Sequence, residues 1–181
     1  MKRLFTAFLM LLLIGCSLNL GPIKPRPPQD SATRLMEATY AGVDRLLAAV
    51  PPDNKLTPGI PVIVATIAEL DSLKSSRLGR LVSEHAATRL TTSGFPAQEV
   101  RLRHDILVTP NEGEFLLSRQ AADISPDQRA QAVLVGSYTE SRSHVFITLR
   151  LIGGSKNETL AAFDYALPLD ATIRSLLWAA P

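Results

Sequence analysis

Apolar residues recur along this chain in two rhythms, one helical and one of strands. Met36, Tyr40, Val43, Leu47 and Val50 follow one another at alternating steps of four and three, the repeat of one helix face. Asp30 or Ser31 is placed to cap that helix, and Pro51-Pro52 stops it. The period returns at Leu78, Leu81, Val82, Ala86 and Leu90, with Ser75 or Ser76 as cap and Gly94 as terminator. Gly59 to Leu70 behaves differently. Odd and even positions alike are apolar from Val62 to Ala68, as in a strand covered on both faces. Ala132 to Tyr138 reads the same way. His144 to Ile152 alternates instead, with Val145, Ile147, Leu149 and Leu151 on one side and Thr148 and Arg150 on the other. Gly153-Gly154 supplies a turn into a last strand, Thr159 to Leu167, so the two strands form an antiparallel hairpin with one wet face. Residues 97–109 read as one or two strands, and residues 112–123, with Phe115, Leu116 and Leu117, as a short helix. Asp170 can cap a final helix reaching Trp178. The order predicts an α/β (α+β) fold: a single compact domain over residues 31–181, with a mixed, partly antiparallel sheet of about five strands packed by three to four helices.

The amino-terminal residues obey neither rhythm. Met1-Lys2-Arg3 is a short basic start, and residues 4–14 are apolar apart from Thr6, the layout of a secretory signal. The run is too short for a membrane-spanning helix, which needs about 20 apolar residues. It ends Leu13-Ile14-Gly15-Cys16, which resembles the bacterial lipobox. In that pattern the sulfur of the cysteine receives a diacylglycerol and the chain is cleaved between Gly15 and Cys16. The resemblance implies a signal peptide over residues 1–15 and a lipidated Cys16 as the mature amino terminus. Ser17 stands where an aspartate would imply retention in the inner membrane, so the sorting pattern points to the outer membrane with the domain facing the periplasm. Residues 17–30, "SLNLGPIKPRPPQD", carry four prolines and no apolar period, and read as an extended spacer reaching up to about 40 Å. Residues 16–30 thus form the lipidated tether.

Charge and cysteine content narrow the function. The chain has a formal charge of +2, and loss of Lys2 and Arg3 with the signal leaves the basic residues equal in number to the 17 acidic ones. A neutral mature chain argues against a general nucleic-acid partner, which selects a basic patch. Cys16 is the sole cysteine, so the chain forms no internal disulfide and no thiolate metal set.

Catalytic patterns are missing from the sequence. His85 has Arg89 where a helical zinc pair needs a second histidine, and His104 and His144 stand on or beside separate strands without clustered carboxylates. "LVGSYT" lacks the second glycine of a nucleophile elbow. No phosphate-binding glycine loop occurs. Glu112 and Glu114 suit a helix start, Arg80 and Glu84 an exposed i,i+4 pair, and Arg101 with Arg103 a charged edge strand. Gly79, unfavourable inside a helix, implies a close approach between helix and sheet. No catalytic residue, metal ligand or cofactor site is expected, and the chain reads as a non-enzyme.

One family resemblance spans most of the domain. The strand "PVIVATIAEL", the helix "SSRLGRLVSEHAATRLTTSGF", the segment "EVRLRHDILVTPNEGEFLLSR" and the strand "AQAVLVGSYTE" resemble, in order and spacing, the FlgO family of flagellar outer-membrane lipoproteins. Pro96 in "FPAQEV" and the lead-in "ISPDQRAQA" depart from the pattern. The resemblance implies a fold similar to the amino-terminal domain of TolB and to curli-secretion lipoproteins. It also implies a non-enzymatic role at the flagellar base that supports motility through contacts with basal-body proteins. A component of another envelope assembly or secretion machine is the alternative reading, and a homo-oligomer or ring is compatible with both.

Overall fold

The computed structural model describes residues 30–100, 130–153 and 158–177, and its first helix begins where capping chemistry dictates. Helix α1 spans Ser31–Ala49. The Asp30 carboxylate accepts from the Thr33 N–H at 2.7 Å, satisfying one of the donors that a helix start leaves open. Val50 turns extended ahead of Pro51, and a 3-10 turn, Pro52–Asn54, follows.

The buried face of α1 is rotated from the one that apolar spacing marks. Leu35, Thr39, Gly42, Val43 and Leu46 are buried, whereas Met36 is 36% exposed and Tyr40, Leu47 and Val50 are half-buried. The core face includes a small residue and a polar one, which the apolar count passes over. A Cβ at Gly42 would lie 3.3 Å from side-chain carbons of Leu149 and Phe163, so the helix rides low on the sheet there. Thr39 is tolerated inside because its hydroxyl donates to the Leu35 carbonyl and shares a bond with the Tyr165 hydroxyl, each 2.8 Å long.

Among the described residues six strands form one sheet. They are β1 (Val62–Ala65), β2 (Ala68–Glu69), β3 (Ala97–Val100), β4 (Ala132–Glu140), β5 (His144–Gly153) and β6 (Thr159–Pro168). Their order is β3-β1-β4-β5-β6, with β2 paired to β4. β1 runs parallel to both neighbours, and β4, β5 and β6 form an antiparallel meander. All four residues of β1 are buried, as a central strand covered on both faces requires. The sixth strand arises because the expected strand Val62–Ala68 breaks at Thr66-Ile67, leaving β2 as a separate pair of residues. Only residues 97–100 of the expected 97–109 strands, and none of the 112–123 helix, lie within the described residues. Gly154 and Trp178 also lie outside them.

Helices α1, α2 (Arg77–Thr92) and α3 (Ala171–Leu177) gather over one face of the sheet. The main core lies between, built from Leu35, Val43, Leu78, Val82, Leu134 and Ile147 among others. A smaller core of Ile63, Ala65, Val133, Val135 and Ile152 occupies the other face. Toward β6 that second face becomes wet: Phe146 is 48% exposed, and Ala162, Asp164 and Ala166 are exposed. The hairpin therefore has the one-sided character that its alternation predicts.

The seating of α2 depends on two small residues. Ser76 caps the helix, its hydroxyl accepting from the Gly79 N–H at 3.1 Å. A Cβ at Gly79 would stand 1.9 Å from the Ile67 carbonyl oxygen, which is backbone and cannot swing aside. One turn later, Ser83 meets the break between β1 and β2. Its hydroxyl accepts from the Ile67 N–H at 3.0 Å and lies 3.3 Å from the Ala65 carbonyl and 2.9 Å from that of Gly79. Gly94, at φ +91, ends the helix by entering the left-handed region.

Three substitutions test this packing by thermal or urea unfolding. Gly79→Ala should destabilise by about 3 kcal/mol, because the contact is with main chain, whereas Gly42→Ala meets only flexible side chains and should cost less. Ser83→Ala should cost ~1–3 kcal/mol by orphaning the buried Ile67 N–H.

Candidate functional site

Three groups of polar side chains among the described residues lie at element ends or helix contacts. Between α1 and α2, the Tyr40 ring meets His85 edge-on at 6.2 Å. The Arg89 guanidinium lies 5.8 Å from the centre of the same ring. Arg89 also grips Asp44 in a fork, Nε to Oδ1 at 2.7 Å and Nη2 to Oδ2 at 2.8 Å. Burial pushes the His85 imidazole below its usual range, against the opposing pull of Glu84, and its Nδ1 is buried with no hydrogen-bond partner. The ring is neutral at pH 7 and packs as an aromatic.

The second place is the tight loop between β2 and α2. Glu69 closes it, accepting from the N–H groups of Asp71 at 3.1 Å and Ser72 at 2.6 Å. Burial works to raise this carboxyl, and the bonds from Ser72 and Asp71 together hold it below its ordinary value. Leu73 takes a positive φ of 54° there. Alongside, the Tyr138 hydroxyl is pushed up by burial despite a bond with Ser76.

The third place joins the starts of α1 and α3. Asp170 caps α3 by accepting from the Ile173 N–H at 3.1 Å. The same carboxylate receives the Ser31 hydroxyl and, at 3.3 Å, the Arg34 guanidinium. Burial acts to raise Asp170, yet Ser31, the Ile173 N–H and Arg34 outweigh it and keep the group ionised below its usual range.

These places do not gather the residues that the sequence singles out. His144 is exposed on the β4–β5 turn, its Nδ1 2.9 Å from the Ser143 hydroxyl. His85 is on the α1–α2 seam. Arg80 and Glu84 are both exposed, and no ion pair joins them among the described residues; the cross-helix pair Arg89–Asp44 forms instead. Gly15, Cys16, Arg101, Arg103, His104, Glu112 and Glu114 lie outside the described residues. Among the described residues no three His, Cys, Asp or Glu side chains are grouped to hold a metal ion, and no helix is long and apolar enough to cross a membrane. The three clusters cap helices, seam α1 to α2 and close a loop. Sequence reasoning overlooks Ser83, Glu69 and Thr39. Only Ser83 and Thr39 leave a trace, as polar residues one turn from apolar positions on a buried helix face.

Comparisons with known proteins give a family and a fold. The model of the FlgO protein family matches residues 40–172. No curated protein matches the chain. Among solved structures, the LpoB C-terminal domain from Escherichia coli is similar at 16% identity and a TM-score of 0.53, over 74% of this chain and 97% of that one. The LpoB C-terminal domain from Salmonella enterica gives 17% identity and a TM-score of 0.50 over the same shares, 74% and 97%. The NMR structure of E. coli LpoB matches at 16% identity and a TM-score of 0.53, over 81% of this chain and 76% of that one. At such identities the likeness is one of fold.

The titrating groups set a pH profile. Because the folded His85 value is depressed, the unfolded chain binds more protons around and below the ordinary histidine value of about 6.5, and stability falls as pH drops through that value. His85→Gln should flatten that limb of a melting-temperature profile. The depressed carboxyls of Glu69 and Asp170 contribute stability that is lost at still lower pH, below about 5, and Asp170→Asn should shrink that second limb.

Proposed function

The chain belongs to the FlgO protein family, and from that premise we propose that it is a lipid-anchored, non-enzymatic outer-membrane protein that supports the flagellar base. The observation that carries this reading is the family match across residues 40–172. The lipobox-like Leu13-Ile14-Gly15-Cys16 supports the anchor. Cleavage before Cys16 removes residues 1–15, and acylation fixes the new terminus in the membrane. One acyl chain holds only reversibly, each buried CH₂ contributing about 0.8 kcal/mol, so stable anchoring takes more than one. Residues 17–30 then space the domain from the bilayer, and it works in the periplasm by contacts with basal-body proteins.

The fold likeness to the LpoB C-terminal domain favours one second reading, a lipid-anchored component of a different envelope assembly. Fold alone does not decide between the two, because one fold serves many functions. Motility does.

Deleting the gene should reduce swimming in soft agar without loss of viability, and purified basal bodies should be altered. Normal swimming with normal basal bodies would overturn the flagellar assignment and leave the envelope reading. Separately, Cys16→Ser should accumulate as an uncleaved, unacylated precursor that no longer takes up labelled palmitate. Maturation of that variant at the parental size would refute the anchor.

A further inference from the structure

Strand β6 ends the sheet order, and among the described residues no strand pairs with its outer edge. The Leu169 N–H bonds the Ser143 carbonyl at 2.8 Å. In the unbroken register from Leu151/Ala161 to His144/Pro168, the odd-numbered β6 residues therefore turn their backbone groups toward β5. Ala162, Asp164 and Ala166 turn theirs outward. Among the described residues nothing bonds to those outward groups. Edge strands are commonly blunted by charges, prolines or bulges. Here the irregularity at Leu151/Ile152 and Pro168 sit at the two ends, and between them only Asp164 is charged. On the helix side of the same edge, Phe163 and Tyr165 are half-buried, their rings stacked 6.5 Å apart.

We propose that two copies of this chain join through β6, antiparallel, into one continuous sheet with a two-fold axis at Phe163. Identical strands paired antiparallel make an isologous contact, so the same edge serves both copies. Charge selects the register. An axis at Asp164 would set two carboxylates directly opposite, which is destabilising. An axis at Ala162 would engage Leu160, the residue left without a β5 partner where the register shifts. With the axis at Phe163, each Asp164 faces the other copy's Ala162, and both outward hydrogen bonds of each such pair form. Arg150 lies opposite Ala162 on β5. Each carboxylate thus enters the row of the other copy's Arg150, across a side chain of a single carbon. Arg150 also interacts within its own subunit, and its guanidinium carries five N–H donors. On the helix side the two Phe163 rings meet as a cross-strand aromatic pair, covering surface that is half-open in one copy.

The test uses the full-length protein in mild detergent, by sedimentation and oxidative cross-linking. The parent should sediment as a dimer. Ala162→Pro removes an outward N–H and leaves the β5 ladder intact, so it should raise the dimer Kd at least about tenfold. Asp164→Lys should do the same with an unchanged melting temperature, which separates lost pairing from lost folding. The double variant Ala162→Cys/Asp164→Cys should cross-link on mild oxidation, and Asp164→Cys alone should not. A parent that is monomeric, or a dimer indifferent to both Ala162→Pro and Asp164→Lys, overturns the proposal. Cross-linking through Asp164→Cys alone overturns the Phe163 axis.

Discussion

The contact on which the architecture depends is the approach of α2 to the backbone at Ile67. Where β1 stops and β2 has yet to begin, the sheet ladder fails, and main-chain groups at Ala65 and Ile67 would face a buried helix unpaired. Ser83 fills that gap with one hydroxyl, and Gly79 removes the Cβ that would keep the helix away. The two act together. Without the low seating the serine would not reach, and without the serine the break would bury an orphan donor, which is costly in an apolar setting. From this point α2 aligns with β1 and β3, α1 packs beside α2, and the main core closes between them.

The elements themselves were largely legible. Caps at Asp30, Ser76 and Asp170, breakers at Pro51 and Gly94, and the alternation of β5 each express a local rule, and the local rule decided the outcome. The failures share a different cause. The α1 stripe drawn from Met36, Tyr40 and Val43 is rotated from the true core face and shares only Val43 with it, because Thr39 and Gly42 belong inside for reasons that lie on β5 and β6. The break at Thr66-Ile67 depends likewise on Ser83, sixteen residues away in the chain. A count of apolar residues cannot see a partner that arrives only on folding.

The candidate chemistry was legible in an unequal way. The sequence marks the histidines by spacing only; in the structure His85 packs as an aromatic on a helix seam and His144 is exposed, while His104 lies outside the described residues. Glu69 carries no motif, and at Asp170 the sequence marks the cap of α3 but not the bonds to Ser31 and Arg34, since closing a loop or joining two helix starts is defined by geometry rather than by residue spacing. In both carboxylates, hydrogen bonds outweigh the cost of burial and hold the charge in place. Electrostatics in this domain fixes backbone where segments meet.

The junction at Asp170 has a mechanical side. One carboxylate holds the first turn of α1 through Ser31 and Arg34 while capping α3, so the first and last helices of the described domain are stapled where the chain enters it. Tension applied ahead of Asp30 would reach this staple before it reached the sheet. The load would spread along α1, which lies on β6 through Gly42 and the Thr39–Tyr165 bond. A helix clamped at its leading end resists peeling, and the force must shear several contacts at once.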